Sequence, residues 1–105
     1  MAIELNDNNF YEIALESAQP VMVDFWAVWC APCRAIAPYV EQIATEFEGR
    51  AVVGKVDIEQ SPDIANRYGI RNIPTILFFK SGELVNKQVG LTSKAALANI
   101  LNGLL

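Results

Sequence analysis

Val21-Met22-Val23-Asp24-Phe25-Trp26-Ala27 runs with little interruption into Trp29-Cys30-Ala31-Pro32-Cys33-Arg34. The first segment is almost continuously apolar, as a central strand covered on both faces requires. Asp24, in its middle, is the anomaly. The second segment holds the only two cysteines of the chain, three positions apart, and opens a stretch with helical periodicity. From about Pro32 to Phe47, Ile36, Val40, Ile43 and Phe47 form one stripe, and Arg34, Glu41, Gln42, Thr45 and Glu46 take the other side. Pro38 lies inside this helix and should kink it. Cys30 therefore sits where strand gives way to helix, with its sulfur toward the free N–H groups of the helix start. Those groups and the helix dipole stabilise a thiolate, the attacking species in disulfide exchange. Cys33 follows one turn later, and side chains at i and i+3 are roughly 5–6 Å apart at Cβ, close to disulfide reach. Pro32 can occupy the first turn without forfeiting a hydrogen bond.

The rest of the chain extends the pattern on both sides. Ile3-Glu4-Leu5 is a short candidate strand, and Asn6 or Asp7 can cap a helix with its stripe at Phe10, Ile13 and Ala14, ended by Pro20. Ala51 to Ile58 reads as a second buried strand containing a charge, Lys55. Ser61-Pro62 opens a short helix that Gly69 stops. Thr75 to Lys80 is a long strand, Ser81-Gly82 a hairpin turn, and Leu84 to Val89 a partly polar edge strand. Thr92 or Ser93 caps a last helix with its stripe at Leu97, Ile100, Leu101 and Leu104. The order β-α-β-α-β-α-β-β-α predicts parallel pairing across the helices and an antiparallel terminal hairpin, in one domain spanning residues 1–105.

Composition narrows the chemistry. The 105 residues, 52% hydrophobic and 19% charged, can bury a core without disulfide staples. A net charge of −4 argues against a nucleic-acid surface. The chain has no histidine, which removes Ser-His and Cys-His catalysis and His-ligated zinc. Two thiols alone fall short of the four ligands of a zinc site, and a structural disulfide closing so small a loop does little for stability. Redox chemistry is the reading that remains strongest. Cys30 attacks a substrate disulfide, and Cys33 resolves the mixed disulfide. Asp24 is the candidate proton acceptor, because burial raises a carboxyl pKa toward neutrality. The alternative is a structural buried acid satisfied by Lys55 or water. Lys55, if it pairs with Asp24, would limit the rise. Trp26 reads as core and Trp29 as an exposed rim. The first 20 residues carry Glu4, Asp7, Glu12 and Glu16 and no basic side chain, unlike a secretory signal. No apolar run approaches membrane-spanning length, so a cytoplasmic protein is expected.

Taken together, Val23-Asp24-Phe25-Trp26-Ala27, Trp29-Cys30-Ala31-Pro32-Cys33-Arg34, Ala37-Pro38, Lys55-Val56-Asp57, Tyr68-Gly69-Ile70, Ile73-Pro74-Thr75 and Val89-Gly90 resemble the thioredoxin family almost end to end; thioredoxin is itself the type example of a C-x-x-C redox motif. The resemblance implies an α/β thioredoxin fold, a central mixed five-stranded sheet flanked by four helices, with the dithiol at a helix start. It implies a cis Ile73–Pro74 bond against the sulfurs and a substrate groove lined by Trp29, Ala31, Pro32, Ile73, Pro74 and Gly90. Substrate backbone would bond to Ile73. The implied activity is reduction of protein disulfides by a redox-active Cys30–Cys33 pair in a monomer, maintaining cell redox homeostasis, with disulfide-containing proteins as clients. The implied partner is thioredoxin reductase, which supplies electrons from NADPH through its flavin; no bound cofactor is implied. Two positions depart from the commonest family motif: Ala31 replaces Gly and Arg34 replaces Lys. Both, with Pro32 and Lys55, are expected to tune the potential rather than change the reaction. Proline at the second intervening position matches reducing members, whereas oxidising and isomerising relatives often carry histidine there. A redox-independent docking module is the competing function.

Overall fold

The protein is described by a computed structural model covering residues 1–105. Five strands, β1 (Ile3–Leu5), β2 (Val21–Trp26), β3 (Val52–Asp57), β4 (Thr75–Lys80) and β5 (Glu83–Val89), form one sheet in the order β1-β3-β2-β4-β5. Three α-helices, α1 (Ala31–Glu46), α2 (Pro62–Arg67) and α3 (Lys94–Asn102), and a π-helical segment, Tyr11–Leu15, complete the α/β fold. The apolar run at Val21 is thus the central strand, hydrogen-bonded to β3 on one side and β4 on the other.

Alternation along β2 sorts its side chains onto two faces. Met22 packs with Ile36, Val40 and Ile43 of α1 and with Leu97 and Leu101 of α3. Val21, Val23 and Phe25 pack on the other face with Phe10, Ala14 and Ile64. Asp24 shares parity with Met22 and so points toward α1.

The pairing differs from the sequence expectation at one connection. β1, β3 and β2 are mutually parallel, but β4 runs antiparallel to β2. The cause is length. α2 has six residues, about 9 Å at 1.5 Å per residue, whereas a six-residue strand spans about 20 Å. So short a helix cannot return the chain along the sheet, and β4 starts at the edge where β3 ends. That edge is where α1 also begins, so Ile73 and Pro74 arrive beside the cysteines.

Local chemistry fixes the remaining ends. The helix expected after Asn6 is a π-helical segment, wider than a regular helix: Asn6 Oδ1 accepts the Asn8 and Asn9 N–H groups, and the segment closes on an i→i−5 bond from Glu16 N–H to the Tyr11 carbonyl. Phe10 and Ala14 of the expected stripe are buried. Asp7, the other cap candidate, serves α2 instead, its carboxylate accepting Ile64 N–H at 3.0 Å and Asp63 N–H at 3.4 Å. Ser61 precedes Pro62 as expected but makes no side-chain cap bond; the carboxylate, a stronger acceptor and complementary to the helix dipole, holds that place. Ser93 rather than Thr92 caps α3, accepting Ala96 N–H at 3.0 Å. Ser81 and Gly82 both have positive φ (53° and 80°), the two-residue turn that suits the twist of a hairpin.

Candidate active site

Cys30 is the N-cap of α1, in extended backbone (φ −88°, ψ 107°), and Pro32 lies in the first turn. The two sulfurs are joined in a disulfide with the Cα atoms 5.2 Å apart. Both cysteines are buried, at 4% and 2% exposure, so depth does not separate them. Orientation does. Cys30 Sγ accepts the Cys33 N–H at 3.2 Å and lies 3.7 Å from the carbonyl oxygen of Ile73. In the disulfide that second approach is a contact, since the sulfur carries no proton. Cys33 instead lines a cavity of about 190 Å³ with Asp24, Trp26, Arg34, Glu41 and Lys55.

The sulfurs pack with Ala27, and Trp26, Ile58 and Ile73 close around them. The Ile73–Pro74 bond is cis, and Pro74 is buried. Gly90, at φ +85°, donates its N–H to the Pro74 carbonyl at 2.8 Å, which sets the start of the β5–α3 loop against this proline. Ala31 and Pro32 are exposed. Trp29 is 61% exposed, and its indole N–H donates to Glu59 Oε2 at 3.0 Å. The structure therefore gathers Cys30, Cys33, Trp29, Ala31, Pro32, Ile73, Pro74 and Gly90 at one end of the sheet, with Asp24 and Lys55 behind them.

Asp24 is 4% exposed, and its Oδ1 has no hydrogen-bond partner. Burial pushes its pKa from 3.8 to about 7; Lys55 pulls it down and Glu41 pushes it up. The expected pair between Asp24 and Lys55 is not a direct one. The two residues are register partners on β2 and β3, but the Lys55 ammonium contacts Glu41 Oε2, at 3.7 Å. Arg34 also takes an unexpected partner, donating to the Val28 carbonyl at 2.7 Å and bracing the loop that carries Trp29. Trp26 is half-buried rather than core, with its indole N–H facing no acceptor in the same cavity wall. No three or more Cys, Asp or Glu side chains converge in a way that could hold a metal ion.

A dithiol at a helix start beside a cis proline is the arrangement the sequence resemblance implied. The family model described as thioredoxin matches residues 1–103. The chain belongs to the thioredoxin family. It is 45% identical over 100 residues to Thioredoxin 1 of Nostoc sp., covering 95% of this chain and 94% of that protein. It is 44% identical over 102 residues to a thioredoxin of Rickettsia bellii, 97% of each chain. A chloroplastic M-type thioredoxin of Spinacia oleracea is 46% identical over 96 residues, 91% of this chain and 53% of that protein. With a C-x-x-C pair in disulfide contact, this thioredoxin-family chain is a thiol-disulfide oxidoreductase acting on protein disulfides.

Glu41, Glu59 and Ala27 are the site neighbours that the sequence reading did not single out. Glu41 had a usable signal: Cys33, Ala37 and Glu41 recur every four residues and so share one helix face. Glu59 had none, because only the fold brings it to Trp29; Ala27 is a near neighbour in sequence, its carbonyl accepting the Cys30 N–H at 3.1 Å.

Proposed function

We propose that Cys30 is the attacking thiol, Cys33 the resolving thiol and Asp24 the proton acceptor, in a single monomeric domain. The Cys30 thiolate attacks one sulfur of a client disulfide, forming a mixed disulfide and expelling the client's other sulfur as thiolate. Cys33 then loses its proton to Asp24 and attacks Cys30, closing the internal disulfide and releasing the second client sulfur. Two electrons pass to the client, and the dithiol becomes the disulfide. The observation that carries this reading is the division of the sulfurs: Cys30 faces the Ile73 carbonyl and the helix-start N–H, while Cys33 faces the cavity of Asp24.

Trp29, Ile73, Pro74 and Gly90 would hold the client segment, the exposed Trp29 ring supplying apolar area at the rim. Ala31, Pro32, Arg34 and Lys55 would tune the dithiol, the two cations by charge and the other two by limiting backbone freedom. Return to the dithiol would draw on NADPH through the flavin of a thioredoxin reductase, carrying electrons onward to clients. A reducing compartment such as the cytoplasm suits that cycle. Cys33→Ser should trap a mixed disulfide with a disulfide-containing protein such as insulin, visible by mass. If the variant instead releases reduced substrate at the wild-type rate, the two-step scheme fails. Addition of thioredoxin reductase and NADPH to the oxidised wild type should consume NADPH.

A further inference from the structure

Glu41 lies two turns beyond Cys33 on α1, and its carboxylate is divided between two partners. Oε1 accepts the Ala2 N–H at 2.9 Å, and Oε2 stands 3.7 Å from the Lys55 ammonium. The same side chain lines the cavity shared by Asp24 and Cys33. We propose that Glu41 is a positioning residue for the proton acceptor: it holds the Lys55 ammonium off Asp24 and places a second negative charge at the cavity that Asp24 shares with Cys33. The inference rests on the reading of Asp24 as that acceptor.

The surroundings of Asp24 leave few other groups to do this. β3 contributes Lys55, and β4 contributes the apolar Ile76 as register partner. α1 contributes Glu41, Arg34 and Cys33, and β2 itself the uncharged Trp26 indole. Arg34 is committed to the Val28 carbonyl. The charges that act on Asp24 are those of Lys55, which favours its ionised form, and Glu41, which opposes it. A free ammonium would turn toward the unpartnered Oδ1 of Asp24 and favour its ionised form. Tied to Glu41, it exerts only a longer-range pull. The bond from the Ala2 N–H gives the carboxylate a second anchor beside Lys55.

Glu41→Gln tests this without dismantling the contact to Ala2, because the amide oxygen still accepts that N–H. The carbon-13 carboxyl shift of Asp24, followed against pH, should show its midpoint falling by about half a unit, roughly threefold in the ionised-to-neutral ratio. Lys55→Met should move the midpoint the other way. The pH profile of mixed-disulfide resolution with insulin should follow the Asp24 midpoint in both variants. An unchanged Asp24 midpoint in Glu41→Gln, with a resolution profile that Asp24→Asn still flattens, overturns the role of Glu41 alone. A profile that Asp24→Asn leaves unchanged overturns the acceptor reading, and the role of Glu41 with it.

Discussion

Replacing Asp24 by Asn in the oxidised protein should change how stability responds to pH. Asp24 is the only charged residue among the buried ones. Its carboxyl keeps its proton up to about pH 7 in the folded chain, against 3.8 for the same carboxyl in water. Between those values the folded state binds one more proton than the unfolded state, so raising the pH favours unfolding. The stabilising proton is fully held below the unfolded pKa and lost as pH rises through the folded one; above that the penalty is constant. A gap of about three units, at 1.36 kcal/mol each, makes the whole penalty about 4 kcal/mol. Between pH 5 and pH 8 the wild type should lose about 2–3 kcal/mol of it. Asn cannot ionise and has no such term. Urea unfolding of both proteins across that range measures the difference directly, since titration of the exposed carboxylates is common to both. The gap between the curves should open in favour of Asp24→Asn as pH rises. Curves that stay parallel from pH 5 to pH 8 would show that the buried carboxyl does not keep its proton, and the electrostatic account of the cavity would fall.

Two further changes probe the frame around the site. Asp7→Ala removes the acceptor of the Ile64 and Asp63 N–H groups and should cost about 1 kcal/mol, with Asp7→Asn recovering most of it; an unchanged urea midpoint in Asp7→Ala would mean water replaces the carboxylate without loss. Gly54→Ala places a Cβ 2.5 Å from Leu5 Cδ1 and 3.3 Å from the Ile3 carbonyl oxygen, so β1 must shift outward. That should cost about 1–3 kcal/mol and speed amide exchange along β1; a stability within error of wild type would mean Leu5 moves aside freely.

What was legible in the chain followed from short-range regularities. The almost continuous apolar run gave β2 its central place, and the strand-to-helix junction gave the cysteines theirs. Ser93 could be read as a cap because cap and helix are adjacent in sequence. The failures share a different cause, which is distance along the chain. Asp7 caps a helix 57 residues away from its own position at Ile64, and no local pattern announces that. Lys55 was matched with Asp24 because both interrupt neighbouring strands, but a lysine stem reaches past its register partner to a carboxylate on the covering helix. The antiparallel β4 was hidden by treating every helical connection as a full crossover, when α2 is too short to be one.

Asp24 is also the point at which stability and reactivity pull against each other. An apolar residue of similar size at that position would pack against Val40 without a desolvated carboxyl, and buried ionisable groups commonly lose that comparison. The same desolvation brings the carboxyl to the pH at which it can take and return a proton. The strand places that group where it is useful because parity along β2 turns it toward α1, and the first turn of α1 brings Cys33 to the same cavity. Three residues earlier, at the N-cap, Cys30 is turned toward Ile73 instead. On the proposed mechanism, the two chemically identical thiols acquire different roles from that one turn of helix. On that mechanism one would meet clients at a rim of Trp29, Ala31 and Pro32, and the other would be activated from within by Asp24, with Lys55 and Glu41 setting the charge at its back.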